Sequence, residues 1–407
     1  MPVIVTEVPL QSSDNNVRYD ATWSVTGLTY QYFKSNINPQ LIKGIYDAAE
    51  AVISSSTLDY RLLRPYPATD NGTGGQNTAG GRNALSSLAG GTNNTAFGFS
   101  ALSLCLNNTG NTAVGTGALS NNSTGNDNTA VGNLALFSSN TFSAVQNTGI
   151  GSNSLLGNIS GGNNTAVGYG SLRSNINGNN NTAVGTTALF SNTTGSRNTA
   201  NGLNALSANT SGSSNTAVGV ESLLTNTTGQ SNTAVGVESL KFSTTGNGNV
   251  AIGGACLFNN TTGGGNTAVG TNSLQVSSTT DYNTAVGFQA LQGATGANNT
   301  GVGFQALQSA AGTQNTAVGS NVGVQLTTGN NNVLLGAGAD VDTGARSFCV
   351  ALGRGVTTPA ADGSFALGGT GPFAMANLLS ASVGANSGQH WIVYLNGTQY
   401  KIELRNP

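Results

Sequence analysis

Charged side chains are scarce in this chain: only 7% of its 407 residues are Asp, Glu, Lys or Arg, and the net charge is −2. A protein that binds nucleic acid by neutralising phosphates needs a basic stripe or patch, and the sequence contains none. No run of about eighteen apolar residues occurs either, so there is no candidate for a membrane-spanning helix. We therefore expect neither nucleic-acid binding nor membrane insertion.

Residues that carry chemistry are equally few. The chain has one histidine, His390, and three widely spaced cysteines, Cys105, Cys256 and Cys349. An odd number of distant cysteines does not imply a disulfide framework. One histidine without a cysteine pair does not support a metal site. We expect no metal and no cofactor.

One short phrase is abundant instead. Residues 215–219 read Asn-Thr-Ala-Val-Gly and are followed by Leu223, and the same phrase returns at 232–236 with Leu240. Eighteen copies occur, mostly 17 residues apart, and they begin at residues 77, 94, 111, 128, 147, 164, 181, 198, 215, 232, 249, 266, 283, 299, 315, 332, 349 and 364. We number the slots of each copy from this first residue. A fixed short period indicates a repeat protein, whose units bury their apolar side against one another.

Comparison among the copies shows what each slot requires. Slot 5 is Gly in all eighteen copies, which predicts a corner with positive φ or a close backbone approach at Gly219 and Gly236. Slot 4 is apolar in sixteen copies, and slot 2 is Thr, Val or Phe. We expect both slots to face inward from a short strand. Slot 9 is Leu in the first fourteen copies, including Leu223 and Leu240, which predicts a second strand around slots 7 to 9.

Slot 3 is small in almost every copy, for example Ala217 and Ala234. Small side chains opposite an apolar face predict a tight contact between chains, and three apolar positions per coil make a thin core. We therefore expect a homotrimer that packs through slot 3, with a single-chain solenoid as the alternative. On this expectation, Ala217→Leu weakens assembly more than Leu223→Ala does.

The length of the repeat selects the fold class. Seventeen extended residues span about 56 Å at roughly 3.3 Å per residue, which suits one coil of a β-solenoid, whereas helical repeats need about 33 residues or more. Residues 77–336 contain no proline and only eight charges, which a coil-to-coil ladder of Asn, Thr and Gly hydrogen bonds explains. We predict an all-β solenoid or β-roll of about 18 coils, on the order of 80 Å long.

The repeats resemble those of known fibrous proteins. Asn-Val-Ala-Ile-Gly at 249–253 and Asn-Val-Leu-Leu-Gly at 332–336 resemble the head repeats of trimeric autotransporter adhesins, which form left-handed β-rolls. The form Asn-Thr-Ala-Val-Gly-x-x-Ala-Leu is similar to repeats of phage and large-virus fibre proteins. The resemblance covers residues 77 to about 368 and implies a trimeric fibre.

Two departures from the autotransporters bear on location. The amino terminus lacks the basic start and apolar run of a signal peptide, and no membrane anchor follows the repeats. We therefore expect a structural fibre or spike protein on the virion surface. The alternatives are a cell-surface or secreted adhesin and an ice-binding solenoid, which needs an exposed file of Thr side chains; burial of slot 2 would disfavour it.

The segment 1–70 does not repeat, unlike the shaft at 71–370. Asn38-Pro39 is typical of a helix start, with Asn as N-cap and Pro at the first helical position. An apolar stripe that includes Ile42 and Ile45 follows. It predicts a helix that either forms a short trimer seam or packs on its own small, mixed domain. We expect this segment to join the fibre to other virion proteins.

The segment 371–407 contains two alternating stretches around Asn396-Gly397, the strongest short hairpin signal. The alternation places Trp391 and Tyr400 on one face of the hairpin and Tyr394 and Lys401 on the other. We expect the first face to cap the last coil, whose open sheet edge would otherwise promote aggregation. The second face is the first candidate for contact with a host receptor or glycan.

Two pairs of carboxylates are candidates for chemistry. Glu221 and Glu238 occupy slot 7 of consecutive coils, so they would stack about 4.8 Å apart, near the separation of a retaining glycosidase pair. No Arg, His or aromatic cluster surrounds them in sequence. We interpret them as an exposed ladder and expect no enzymatic activity. Asp340 and Asp342 could contribute to a cation site, but no calcium-binding pattern recurs around them.

Overall fold

The structure is a computed structural model that describes residues 2–5, 23–27, 76–137, 144–358, 361–368, 390–395 and 398–403. The chain divides into two units, Met1–Leu62 and Leu63–Pro407. The described residues form twenty-two strands and no helix. The helix predicted after Asn38, with Ile42 and Ile45, lies outside the described residues.

The first unit contributes one antiparallel pair, β1 (Pro2–Val5) and β2 (Trp23–Gly27), with Val5 opposite Trp23. The strands of the second unit that follow in sequence are β3 (Thr78–Gly80), β4 (Thr95–Phe97), β5 (Thr112–Val114), β6 (Thr129–Val131), β7 (Thr148–Ile150), β8 (Thr165–Val167), β9 (Thr182–Val184), β10 (Thr199–Asn201), β11 (Thr216–Val218), β12 (Thr233–Val235), β13 (Val250–Ile252), β14 (Thr267–Val269), β15 (Thr284–Val286), β16 (Thr300–Val302), β17 (Thr316–Val318), β18 (Val333–Leu335), β19 (Val350–Leu352) and β20 (Phe365–Leu367).

Strands β3 to β20 form a single parallel sheet in chain order. Each strand pairs in register with the next, so that Ala217 lies beside Ala234 and Val218 beside Val235. No pairing joins β3 to β20 among the described residues, so the sheet is an open stack with two ends. The structure confirms an all-β solenoid of eighteen parallel strands with a 17-residue period.

The orientation of the strand residues differs from the prediction. Slot 3 faces the interior, where Ala217 and Leu223 are fully buried, whereas Thr216 and Val218 point outward and are half-buried. The expectation that slots 2 and 4 face inward is therefore wrong. We call the slot-2 and slot-4 side chains of β3–β20 the outward face.

The small size of slot 3 has its cause inside the chain. A Cβ atom added to Gly149, a slot-3 glycine, would lie 3.4 Å from the side chain of Leu136, the slot-9 leucine of the preceding coil. Slot 3 therefore packs against the leucine file within one chain. The predicted chain–chain contact at Ala217 and Ala234 is wrong, because both side chains are fully buried without a partner chain.

Slots 7 to 9 form a turn and not the predicted second strand. Glu221 and Leu223 both adopt left-handed backbone conformations, with φ of 56° and 51°. A leucine with positive φ is uncommon, and hydrogen bonds to both neighbouring coils hold this backbone in place. The Glu221 N–H donates to the Leu203 carbonyl at 2.9 Å, and the Leu223 N–H donates to the Ser239 carbonyl at 3.0 Å.

The predicted glycine corner is confirmed at slot 5. Gly219 has φ of 134°, a conformation that side chains rarely adopt. A Cβ atom at this position would lie 2.6 Å from the carbonyl carbon of Gly236, and closer still to its oxygen. Slot 5 therefore needs glycine both for its conformation and for the close approach of consecutive coils.

The asparagines of slot 1 form the predicted coil-to-coil ladder. Asn232 is fully buried, and its Oδ1 accepts hydrogen bonds from the backbone N–H of Asn249 at 2.9 Å and from Asn249 Nδ2 at 3.2 Å. Its own Nδ2 donates to the Gly246 carbonyl at 2.8 Å. Buried amides must be paired to be tolerated, and the repeat pairs each one with the coils on either side.

A second amide ladder, in slot 12, is interrupted. Asn226 Nδ2 donates to Asn209 Oδ1 at 2.8 Å and to the Gly229 carbonyl at 3.1 Å. The next coil has Ser243 in this slot. The Ser243 hydroxyl and Asn226 Oδ1 are both buried without a hydrogen-bond partner among the described residues. A buried polar group left unpaired costs about 1–3 kcal/mol, so the serine weakens the stack locally.

Ser243→Asn is expected to stabilise the solenoid by about 1–2 kcal/mol. The new amide can donate to Asn226 Oδ1 and accept from Asn260 Nδ2, on a backbone that carries Asn in the same slot of both adjacent coils. Urea unfolding followed by circular dichroism measures the change. Ser243→Ala removes only the unpaired hydroxyl and is the matched control; equal stability of the two variants would contradict this interpretation.

The last described strands are β21 (His390–Leu395) and β22 (Thr398–Glu403), which pair antiparallel. Trp391 lies opposite Ile402, and Leu395 opposite Thr398, which is the register that the sequence alternation predicts. The intervening residues 396–397 and the side chains of both strands lie outside the description. The capping role of Trp391 and Tyr400 stays a prediction.

Candidate functional site

The outward face runs along the whole described stack, from β3 to β20. Its slot-4 side chains form one apolar file along β4–β20, interrupted once, at Asn201. Eight of them are 37–42% exposed: Phe97, Val114, Ile150, Ile252, Val286, Val318, Leu335 and Leu367. The slot-2 side chains beside them are mostly Thr, and no charged residue occupies either slot in any copy.

This face is large enough to bind a macromolecule. Consecutive strands lie about 4.8 Å apart, and two outward side chains per strand cover a width of about 10 Å, so the face measures on the order of 800 Å². A stable protein–protein interface buries about 800 Å² on each partner. The slot-4 file makes up about half of this area, and an apolar patch of this size on a protein surface often marks an interaction site. The outward face is therefore the candidate interaction site.

The paired carboxylates have a partner that the sequence interpretation missed. Lys241 Nζ lies 2.8 Å from Glu221 Oε2 and 2.7 Å from Glu238 Oε1. The same ammonium lies 5.6 Å from the ring centroids of Phe242 and Phe258. Hydrogen bonds to Glu221 and then Glu238 raise the pKa of Lys241, so the ammonium stays protonated and forms ion pairs with both side chains. The arrangement is an ion-paired surface cluster and does not resemble a general acid beside a nucleophile.

The signal for Lys241 was present in the sequence. It stands in slot 10 of the coil that carries Glu238 in slot 7, and a turn between these slots brings them together. The interpretation of slots 7 to 9 as an extended strand placed the lysine too far from the carboxylates.

Asp340 and Asp342 have separate surroundings. The Asp340 carboxylate accepts hydrogen bonds from the backbone N–H groups of Gln325 at 3.0 Å and Val341 at 2.8 Å, while burial raises its pKa. Asp342 pairs with Arg346 at 2.7 Å, and that contact lowers the pKa of Asp342. The Arg346 guanidinium therefore pairs with the oxygens of Asp342, and two backbone N–H groups bond to those of Asp340. These are the oxygens that a cation would need.

The cysteines are buried in the interior of the stack. Burial raises the pKa of the Cys105 thiol to about 12 and that of Cys256 to about 11, so both thiols are protonated and unreactive at neutral pH. Among the described residues, no group of three or more His, Cys, Asp or Glu side chains is placed to hold a metal ion. The same residues contain no helix that is long and apolar enough to cross a membrane.

The structure separates the remaining predicted site residues into two groups. Leu223 and Leu240 are buried in the leucine file, and Gly219 and Gly236 form successive corners. The residues predicted at the two ends, namely Ile42, Ile45, Trp391, Tyr394, Tyr400 and Lys401, have no described side chains. Recognition by Tyr394 and Lys401 therefore stays a prediction.

These features define a β-solenoid repeat protein. Comparisons of the chain with protein-family models, curated proteins and solved structures found no match. The resemblance to fibre and adhesin repeats therefore rests on the repeated residues alone, and any function for the chain must be argued from its own geometry.

Proposed function

We propose that the chain is a structural fibre protein whose copies associate side by side along the outward face. The supporting observation is the apolar slot-4 file, where positions such as Val114 and Ile252 remain 38% and 42% exposed in the single chain. Covering the outward face, about 800 Å² per chain, removes this apolar file from water. Because the strands are fixed by the stack behind them, the face is already organised to bind.

A second copy of this chain is the partner that fits the face. The side chains recur once per coil, at about 4.8 Å, and a partner that matches this spacing over the whole length needs the same repeat. The absence of charge in slots 2 and 4 favours an equally apolar partner surface.

We further propose three copies per fibre, attached to other virion proteins through residues 1–70 and presenting Tyr394 and Lys401 to a host receptor or glycan. The repeat resemblance and the sequences of the two ends support these assignments. The proposed location is the virion surface, and an adhesin at the cell surface or outside the cell is the alternative. Detection of the protein in purified virions would separate the two locations.

Charge introduced into the outward face is expected to abolish association. Val218→Asp combined with Val235→Asp places two carboxylates on adjacent strands of the slot-4 file, where association would bury them unpaired. Both positions are half-buried and point outward, so the coil itself should still fold. Sedimentation velocity should show a single chain, with an unchanged circular dichroism spectrum.

The matched control lies two residues away on the same coils. Val220→Asp with Val237→Asp introduces the same charges in slot 6, where the side chains are 40% and 55% exposed but outside the outward face. This control should associate like the unchanged chain. Assembly of both double variants, or of neither, would contradict the proposed interface.

Ice binding is a second candidate because the Thr file of slot 2 is outward and not buried, as Thr216 and Thr233 show. An ice-binding surface needs this regular, exposed array, and self-association would cover it. Thermal hysteresis in a freezing solution, measured on the Val218/Val235 variant and on the unchanged chain, tests this candidate. Activity of a single dissociated chain would favour ice binding over the fibre.

A further inference from the structure

One residue interrupts the outward face. Asn201 occupies slot 4 of β10, beside Val184 of β9 and Val218 of β11. It is exposed, and no hydrogen bond joins its side-chain amide to another described residue. The only other copy without an apolar slot 4 is the first, which has Gly80. Asn201 is therefore the one polar side chain in an apolar file.

The free energy of burying an amide in such a file depends on which side chain of the partner covers it. A valine or isoleucine from a partner would bury both polar atoms of the amide without hydrogen bonds, whereas another asparagine can donate to its oxygen and accept from its nitrogen. A single polar residue in an apolar seam is known to fix register and orientation between associating chains.

Among arrangements in which the outward faces of two copies overlap over their full length, only one brings these amides together. In parallel, in-register association, Asn201 meets Asn201. A stagger of one coil places it against Val184 or Val218. In antiparallel association with full overlap, β10, the eighth of the eighteen strands, faces the eleventh, β13, and Asn201 meets Ile252.

We propose that Asn201 selects parallel, in-register association of identical chains along the outward face. This inference rests on the proposed function, because it requires the face to be covered by another copy. The amides of neighbouring chains form a hydrogen-bonded pair or ring across the interface. Association in any other alignment is disfavoured at least roughly fivefold for each unpaired amide, the factor that about 1 kcal/mol produces.

Moving the asparagine tests the proposal. A relocated variant combines Asn201→Val with Val269→Asn, which shifts the polar position by four coils while keeping the composition of the file. The relocated and unchanged full-length chains, carrying different affinity tags, are expressed together, and mixed assemblies are counted by native mass spectrometry. Each chain should assemble with itself, and mixed assemblies should fall at least roughly fivefold below the statistical fraction.

A control variant, Val220→Asn, adds an asparagine outside the outward face and should mix statistically with the unchanged chain. Orientation is read from spin labels on Thr116→Cys, which is exposed in slot 6 outside the outward face, while the three native cysteines are buried. Parallel association gives a short label distance. Antiparallel association with full overlap would place the label opposite the coil of β18 in its partner, thirteen strands further along, giving about 60 Å.

The outcomes separate this inference from the proposed function. Statistical mixing of relocated and unchanged chains, or the long label distance, overturns the role of Asn201 while leaving self-association in place. Sedimentation of the unchanged protein as a single chain overturns the proposed function, and the inference with it.

Discussion

Gly219→Ala is expected to destabilise the solenoid by about 3 kcal/mol or more, combining an overpacked contact with an unfavourable backbone conformation. The added methyl group would press on the carbonyl of Gly236, whose position is fixed by the next coil. Backbone cannot move aside as a flexible side chain can, so the strain spreads to both neighbouring coils. The urea midpoint, followed by circular dichroism, should fall markedly.

Two glycines provide matched controls for Gly219→Ala. Gly248 has φ of 67° and nothing within 4 Å of an added Cβ, so Gly248→Ala tests the backbone conformation alone. Gly254 has neither feature, with its nearest neighbours 4.0 Å away, and Gly254→Ala should be close to neutral. Equal losses at Gly219 and Gly248 would show that the close approach of coils contributes nothing.

Asn232→Ala is expected to cost about 3 kcal/mol or more. It leaves the Asn249 N–H and the Gly246 carbonyl without their present partner inside the stack, and each buried unpaired group costs about 1–3 kcal/mol. Asn215 Oδ1 loses one of its two donors and keeps the backbone N–H of residue 232. Urea unfolding measures the loss. Thr233→Val, in the next slot of the same coil, is the control, because the chain already uses Val250 there one coil later; a loss of equal size would contradict the ladder.

Asn232→Asp adds a dependence on pH. A carboxylate at this buried site would face the Gly246 carbonyl with no donor between them, so its pKa should rise above that of the unfolded chain. The protonated acid can donate to that carbonyl. The variant should therefore be most stable below about pH 4 and lose stability as pH rises through the folded-state pKa. A flat difference from the unchanged chain across pH 3–8 would contradict this environment.

The sequence is sufficient to predict three features of the fold: the period of the repeat, the strand at slots 2 to 4 and the glycine corner. Each depends on backbone requirements that recur in every copy. The direction of the strand faces cannot be predicted in this way. The alternation of side chains along a strand shows that slot 3 lies on the opposite face from slots 2 and 4, but not which face points inward. The hydrophobicity of the slot-4 valines predicts, wrongly, that their face is the interior one. Beside a leucine such as Leu223, the interior has room only for a small side chain such as Ala217.

The exchange of the inward and outward strand faces also explains why the sequence does not predict the candidate site. The sequence pattern predicts that Val218 and its equivalents lie in the core, so it conceals the apolar file as a surface and predicts the contact between chains at Ala217. Variation among the copies held the clue. Slot 3 is almost always Ala or Gly, and slot 9 is Leu in the first fourteen copies, whereas slot 4 accepts Phe, Val, Ile and Leu. The slots that vary least, 3 and 9, point into the interior of the solenoid, where the space for a side chain is most restricted.

The slot-1 ladder also gives the stack an electrical direction. Backbone hydrogen bonds run both ways between coils, since the Thr216 N–H donates forward to Asn232 and the Gly219 N–H donates backward to Asn201. The amides run one way only, each Oδ1 accepting from the coil that follows. Aligned dipoles add along an axis and polarise one another, so charge separation accumulates along the file. It stops at Asn332, because Cys349 donates its N–H to this last amide but has no amide to extend the series.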